Sequence, residues 1–221
     1  MSEEIVKDDH YEGGLTNEAG MAINVPEVKL IGKTGQMSSD FPKNLGEFVY
    51  DGMQLMGESF NIILVGYKPE WEEVIDFEAG VFPKRFATIN EAASAGYSDE
   101  YTAQLKVKPV ASIEFFIEVD KDSDLAAYAP ITVGDKAYVA SKMKVVSKTS
   151  FDGVCAVIDQ MRTLGALRNG LHVLRLQITS HLVKGKSNSW YGAKLNAVKE
   201  DPKTPDDVKS EIESLFPNLK K

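Results

Sequence analysis

The chain has one cysteine, Cys155, and three histidines, His10, His172 and His181, in 221 residues. A single thiol excludes an intramolecular disulfide, and Cys155 sits in an apolar helical run that reads as a buried, inert position. The histidines are too scattered for the short spacings of a zinc site, and nine residues along one strand set His172 and His181 on opposite faces. No apolar run reaches the roughly 18 residues of a membrane-spanning helix. The opening MSEEIVKDDHYEGG is acidic and polar, without the basic start and apolar centre of a secretory signal. The expectation is a cytoplasmic protein with no membrane contact. Catalytic signatures are missing too: there is no G-x-S-x-G turn, phosphate-cradling glycine loop or zinc-deaminase pattern. Gly32–Gly35, GKTG, has a superficial likeness to a phosphate loop but lacks the leading glycine and the spacing. Residues 120–124, DKDSD, begin like a calcium loop but lack its later glycine and glutamate, and read as an acidic turn. The chain therefore reads as a non-enzyme with no metal or cofactor.

What is present is an ordinary globular composition, 43% apolar and 26% charged, which excludes wholesale disorder. The length suits one domain with elaborations, burying about 70% of its unfolded surface. The net charge of −8 is unevenly spread: residues 1–100 carry 7 Lys+Arg against 19 Asp+Glu, residues 101–200 carry 14 against 9. An acidic body is a poor generic polyanion binder. A basic face on it still acts locally, because salt screens each charge over about 8 Å.

Residues 1–24 lack periodicity and read as a flexible acidic arm. Residues 25–200 read as the folded domain, with an insertion near 72–104, and residues 201–221 as a C-terminal helix and tail. Strand signals fall at VPEVKLIG, GEFVYDG, SFNIILVGYKPEW, 105–119 and 131–146. The stretch Phe60–Tyr67 is apolar on both faces, as a strand covered on two sides must be, and Gly66 permits a sharp bend there. The insertion contains a short helix with Thr88 or Asn90 as cap; Thr149 or Ser150 caps a helix over 151–164; Thr204 caps another over 205–216. The fold class is mostly β with a few helices.

The richest stretch runs from Ala137 to Val198: a strand, a helix, a long strand, a basic turn and a final strand. Long strands around one helix are the parts of an OB-like five-stranded Greek-key barrel. The chain's positive charge collects here. Lys142, Lys144 and Lys148 share one strand face if the chain stays extended, and Val173, Arg175, Gln177, Thr179 and His181 form a polar row. Lys184, Lys186, Asn188 and Ser189 make a cationic turn, followed at once by Trp190 and Tyr191, which point to opposite faces. Cations beside exposed aromatics make a platform for single-stranded nucleic acid.

The order VPEVKLIG, GEFVYDG, NIILVGYKPEW, then KMKVVSKTSF to MRTLG, then LHVLRLQITSHLVKGKSNSWYGAKLNAV resembles a family of tailed-phage OB-fold single-stranded DNA-binding proteins, over about residues 25–198. The resemblance implies an OB core with elaborations and binding of single-stranded DNA in phage replication or recombination, with phage replication proteins as further partners. The residues it points to are Lys142, Lys144, Arg175, Lys184, Lys186, Trp190, Tyr191 and Lys194. The chain departs from many such binders in ending FPNLKK rather than in an acidic tail. The other reading of the same barrel is a phage structural or assembly protein whose Phe60–Tyr67 strand and late hairpin are buried by oligomerisation. The sequence leaves the oligomeric state open.

Overall fold

Apolar side chains on both sides of Phe60–Tyr67 demand two layers of cover, and a computed structural model supplies both. It describes residues 12–13, 15, 23–75, 81–100, 102–185 and 187–220. In chain order the elements are β1 (Glu12–Gly13), β2 (Val28–Leu30), α1 (Gln36–Asp40), β3 (Phe48–Tyr50), β4 (Gln54–Gly57), β5 (Ser59–Glu73), β6 (Arg85–Phe86), α2 (Ile89–Ser94), β7 (Val107–Asp120), β8 (Ile131–Val133), β9 (Lys136–Val145), α3 (Lys148–Thr163), β10 (Arg175–Lys184), β11 (Ser189–Ala197) and α4 (Asp206–Leu215). The expected mostly β class with a few helices is what forms.

The main sheet has the order β11-β10-β5-β7-β9-β8, antiparallel throughout. Strand β10 pairs with only the first five residues of β5, Ser59–Ile63. Further along the same strand, β1 pairs at Gly66–Tyr67 and β6 at Trp71–Glu72. A second sheet, β2-β3-β4, stands apart.

The register of β5 against β7 shifts between Leu64 and Gly66, leaving Val65 as an extra residue beside the glycine. A one-residue bulge exchanges the faces of everything beyond it. Ile62 and Leu64 face the core beneath α3, and after the bulge Tyr67 faces it as well. There the Tyr67 hydroxyl donates to Cys155 Sγ at 2.8 Å. Burial, reinforced by that contact, pushes the Tyr67 phenol well up; Cys155 is half-buried rather than buried as expected, and desolvation pushes its thiol up too.

The inner core joins Ile62, Ile113, Phe115 and Val139 to Val154, Ile158 and Met161 of α3 and to Val28, Phe48 and Tyr50 of the small sheet. On the outer face, Ile63, Val65, Phe116 and Tyr138 lie under Leu15, Val25, Val208, Ile212, Phe216 and Leu219, with the Phe116 and Phe216 rings 5.7 Å apart. A third cluster, Phe86, Ala92, Tyr97 and Val107, holds the described part of the insertion together.

Four further expectations change. The five-stranded closed barrel does not form among the described residues: β9 and β11 do not pair, and the β9 edge is met instead by a single parallel bridge from Glu27 to Lys142. Strand β2, three residues long, is an edge of the small sheet and pairs only with β3. Most of residues 1–24 lie outside the described residues, but where the segment is described it is docked rather than free. Glu12–Gly13 joins β5, and Leu15 is 1% exposed with its N–H donated to Glu114 Oε2 at 2.6 Å. The helix caps move too. Ser147, not Thr149 or Ser150, accepts the Ser150 N–H at the start of α3, while α4 begins after Pro205 with no side-chain cap. Lys148 is therefore a helical residue and does not continue the row of Lys142 and Lys144. Thr88 does cap α2.

Phe116→Ala is expected to lower the unfolding free energy by about 3–5 kcal/mol, with a smaller loss for Phe216→Ala at the rim of the same contact. Urea titration of both variants checks this. A loss under about 1 kcal/mol in both would show that α4 does not seal the outer face.

Candidate nucleic-acid interface

Residues paired directly across an antiparallel ladder share a face. Leu176 and Ile178 are buried in the inner core with Ala193 and Leu195. The alternate set takes the other face: Arg175, Gln177, Thr179, His181 and Val183 of β10, Trp190, Gly192, Lys194 and Asn196 of β11, and Ser59 and Asn61 of β5, with Glu118 against Arg175 at one end. Gln177 Nε2 donates to Asn61 Oδ1 at 3.4 Å and Asn196 Nδ2 to Thr179 Oγ1 at 3.1 Å, so amides and hydroxyls order one another across three strands. Not one Asp or Glu is among these residues of β10, β11 and β5, in a chain that carries 33. His181 Nδ1 and Trp190 Nε1, both on this face, are buried with no hydrogen-bond partner among the described residues, an unusual state for polar atoms.

The sequence candidates divide into two groups. Lys194 is exposed on the outer face and Lys184 at the hairpin tip, neither with a hydrogen bond or ion pair to the described residues. Trp190 is half-buried on the same face, its ring close against Gly185 of the turn. Tyr191 takes the opposite face, as the alternation demands, and packs on Gly46. Lys186 lies outside the described residues. The other three are engaged elsewhere. Lys142 Nζ donates to Asn24 Oδ1 at 3.0 Å. Lys144 pairs with Glu72. Arg175 forks onto Glu118, at 2.8 Å from Nε and 2.6 Å from Nη2, with Nη1 on the Asp201 carbonyl oxygen at 3.2 Å. Burying carboxylates at 7% exposure, as at Glu118, requires such a partner.

Glu70 and Glu72 on the outer side of β5 make the densest charge cluster among the described residues. Glu72 meets Lys144, Lys108 at 3.6 Å and Arg85 at 3.7 Å; Glu70 meets Lys68 at 2.8 Å and Arg85 at 3.8 Å. Burial pushes the Glu72 carboxyl up, but the hydrogen bond and charge of Lys144, helped by Lys108 and Arg85, outweigh it and hold the group below its ordinary value. His172 is buried in a 3₁₀ turn rather than on a strand, with Nε2 3.0 Å from Glu213 Oε1 of α4. The helix–strand corner it braces is a packing site.

Among the described residues no group of three or more His, Cys, Asp or Glu is placed to hold a metal, and no helix is long and apolar enough to cross a membrane. Comparison with family models, with curated proteins and with solved structures returns no match.

Sequence reasoning passed over Asn61, Asn196 and Lys33, whose Nζ donates to Ser189 Oγ. Alternation alone would have placed Asn196 with Lys194. Asn61 needed the β5–β10 register, which no local signal carries.

The Glu72 cluster sets the sign of an acid effect. A carboxyl held below 4.5 in the folded chain stabilises fully above that value and loses its contribution as pH falls through the folded value. Glu72→Gln is expected to lower stability at neutral pH and to flatten the acid limb of the urea midpoint against pH. A variant with an unchanged acid limb would remove Glu72 from the account.

Proposed function

We propose that this chain binds single-stranded DNA with little sequence preference, on the outer face of the β10–β11 hairpin. The observation that carries the reading is a hairpin face with no acid of its own in an acidic protein, bordered by Trp190 and the unpaired cations Lys184 and Lys194. Flat, sequence-tolerant stacking on an indole and phosphate neutralisation by lysine need nothing else.

Strand order supports it. The sequence β5, β7, β9, α3, β10, β11, arranged in space as β11-β10-β5-β7-β9, is the order of an OB fold with its helix between the third and fourth strands. In this reading the barrel is open between β9 and β11. OB folds use the face of strands two and three with the loops after strands one and four. Here the middle of that face lies under α4, Leu15 and Val25, so the site moves to the fourth and fifth strands, whose loop is the basic turn. The resemblance to phage single-stranded DNA-binding proteins agrees with this placement and gives the context, replication or recombination in a host cell, with phage replication proteins as partners.

A second reading, a phage structural or assembly module, draws on exposed apolar side chains: Phe82 is 96% exposed in the insertion and Met53 74% at the β3–β4 turn. It no longer gains from Phe60–Tyr67, which the chain covers by itself.

Labelled oligo-dT titrated by anisotropy across a salt series, beside duplex DNA, decides between them. Saturable binding that prefers the single strand and weakens with salt is expected. Trp190→Ala should weaken it by about 5- to 100-fold, the equivalent of one stacked base, and Lys194→Glu should reduce the salt dependence. No binding at micromolar protein and low salt sinks the DNA reading; salt-insensitive self-association in its place supports the assembly reading.

A further inference from the structure

The unpaired seam between β9 and β11 is not filled. It holds an open cavity of about 380 Å³, walled by the β11 edge at Tyr191–Ala193, by β2, by the last residues of β9, by Gly32, Thr34 and Gly35 of the loop before α1 and by Gln36 and Met37 at the start of α1. Ser147 and Ser150 also line it, at the start of α3. Its lining is mainly apolar with a few polar groups, the usual make-up of a small-molecule site, and its volume is in the usual range.

One wall is aromatic and fixed. A Cβ on Gly46 would fall 2.5 Å from the Tyr191 ring, so the ring rests directly on that backbone and has no room to retreat. Gly46 has φ +91, a conformation that already favours glycine. Met37 and Met143 supply polarisable thioethers among the other lining groups. Lys29 lines the cavity beside Glu27, with which it pairs at 3.5 Å. Lys33 stands between the lining residues Gly32 and Thr34, outside the lining itself, and reaches across to Ser189, two residues before Tyr191. A tyrosine ring held against Gly46, adaptable thioethers and a lysine match a heterocycle joined to an anion.

We propose that the seam cavity takes one nucleotide: its base stacks on Tyr191 and its phosphate lies at Lys29 and Lys33. The proposal rests on the DNA-binding reading and deepens it. Trp190 and Tyr191 are successive residues on opposite faces of one strand, so a single strand that crosses the β11 edge has an aromatic surface on each side of it. The Gly32–Gly35 loop, no phosphate loop by its spacing, forms the rim of this cavity, where Gly32 and Gly35 keep the way in open.

Gly32 provides a clean test. A Cβ there meets only the Thr34 carbonyl oxygen, at 3.7 Å, an ordinary contact, and its backbone is outside the left-handed region. Gly32→Leu therefore adds bulk at a lining residue from an unstrained Cβ. The variant is expected to keep the wild-type melting temperature, to bind oligo-dT about tenfold more weakly, as for one lost stacking contact, and to lose binding of thymidine 5′-monophosphate. On the unaltered protein, thymidine 5′-monophosphate should shift the amide NMR signals of Gly32 and Tyr191–Ala193, a readout that needs no variant. If wild type binds oligo-dT, Trp190→Ala weakens it and Gly32→Leu does not, this proposal falls and the hairpin face stands. If wild type binds neither probe, both readings fall.

Discussion

A strand buried on both faces governs this fold. Residues 60–67 of β5 are 9% exposed at most at their apolar positions, and each fully buried large apolar side chain contributes about 1.5–3 kcal/mol, so neither face can be left to water. The Val65 bulge decides which residue meets which cover. By exchanging the faces beyond it, it sends Tyr67 beneath α3 and leaves Glu70 and Glu72 on the outer side among lysines and an arginine. α3 and the small sheet cover one face; α4, Leu15 and Val25 cover the other. The cover ends where β10 and β11 run past β5: the last pair with β5 is Thr179 with Ser59, and the hairpin continues to Lys184. The half-buried polar face, exposed at Ser59 and Lys194, is what remains once β5 has been sealed.

The same packing explains why a row of basic residues is not a basic surface. The second hundred residues carry the cations and the first hundred the anions, which in one dimension looks like a charged partner waiting for a ligand. In space the cations of the second half meet acids of either half. Lys144 meets Glu72 from 72 residues away, Arg175 forks onto Glu118, and four cations surround Glu70 and Glu72. A buried carboxylate without such partners would cost several kcal/mol, about 3–5 when one partner of a buried pair is removed. Those cations hold the sheet together and are poorly placed to spare their charge. Among the described residues Lys184 and Lys194 carry positive charge that no acid pairs with, within reach of a ligand at physiological screening.

Local signals made the elements legible: the two-faced apolar strand, the Gly134–Asp135 turn between β8 and β9, the helical spacing of Val154, Ile158 and Met161, and the hairpin around the basic turn are all periodicities or turn chemistries. The opposed directions of Trp190 and Tyr191 followed from alternation alone. What stayed hidden depends on register between distant strands. Nothing near Lys144 names Glu72, nothing near Asn61 names Gln177, and docking of Leu15 depends on a carboxylate 99 residues away. Closure of the barrel was read from strand count, but it is decided by pairing across a seam, and the seam is where the local rules say least.

Tyr191 accounts for that seam in physical terms. Two strands pair when their backbones approach to about 4.8 Å. The Tyr191 ring projects from β11 onto Gly46, the residue whose N–H is donated to the Ile31 carbonyl oxygen just past β2. A side chain seated between β11 and the small sheet holds the two at ring distance rather than hydrogen-bond distance, so β2 can reach β9 at one bridge but cannot extend the ladder to β11. An open strand edge invites uncontrolled pairing with other chains. Here Lys33, Lys184 and Lys194 stand around the β11 edge, and charged side chains at an edge oppose such pairing while leaving room for an anionic ligand. The residue that keeps the sheet from closing is thus also the one that gives the opening an aromatic wall.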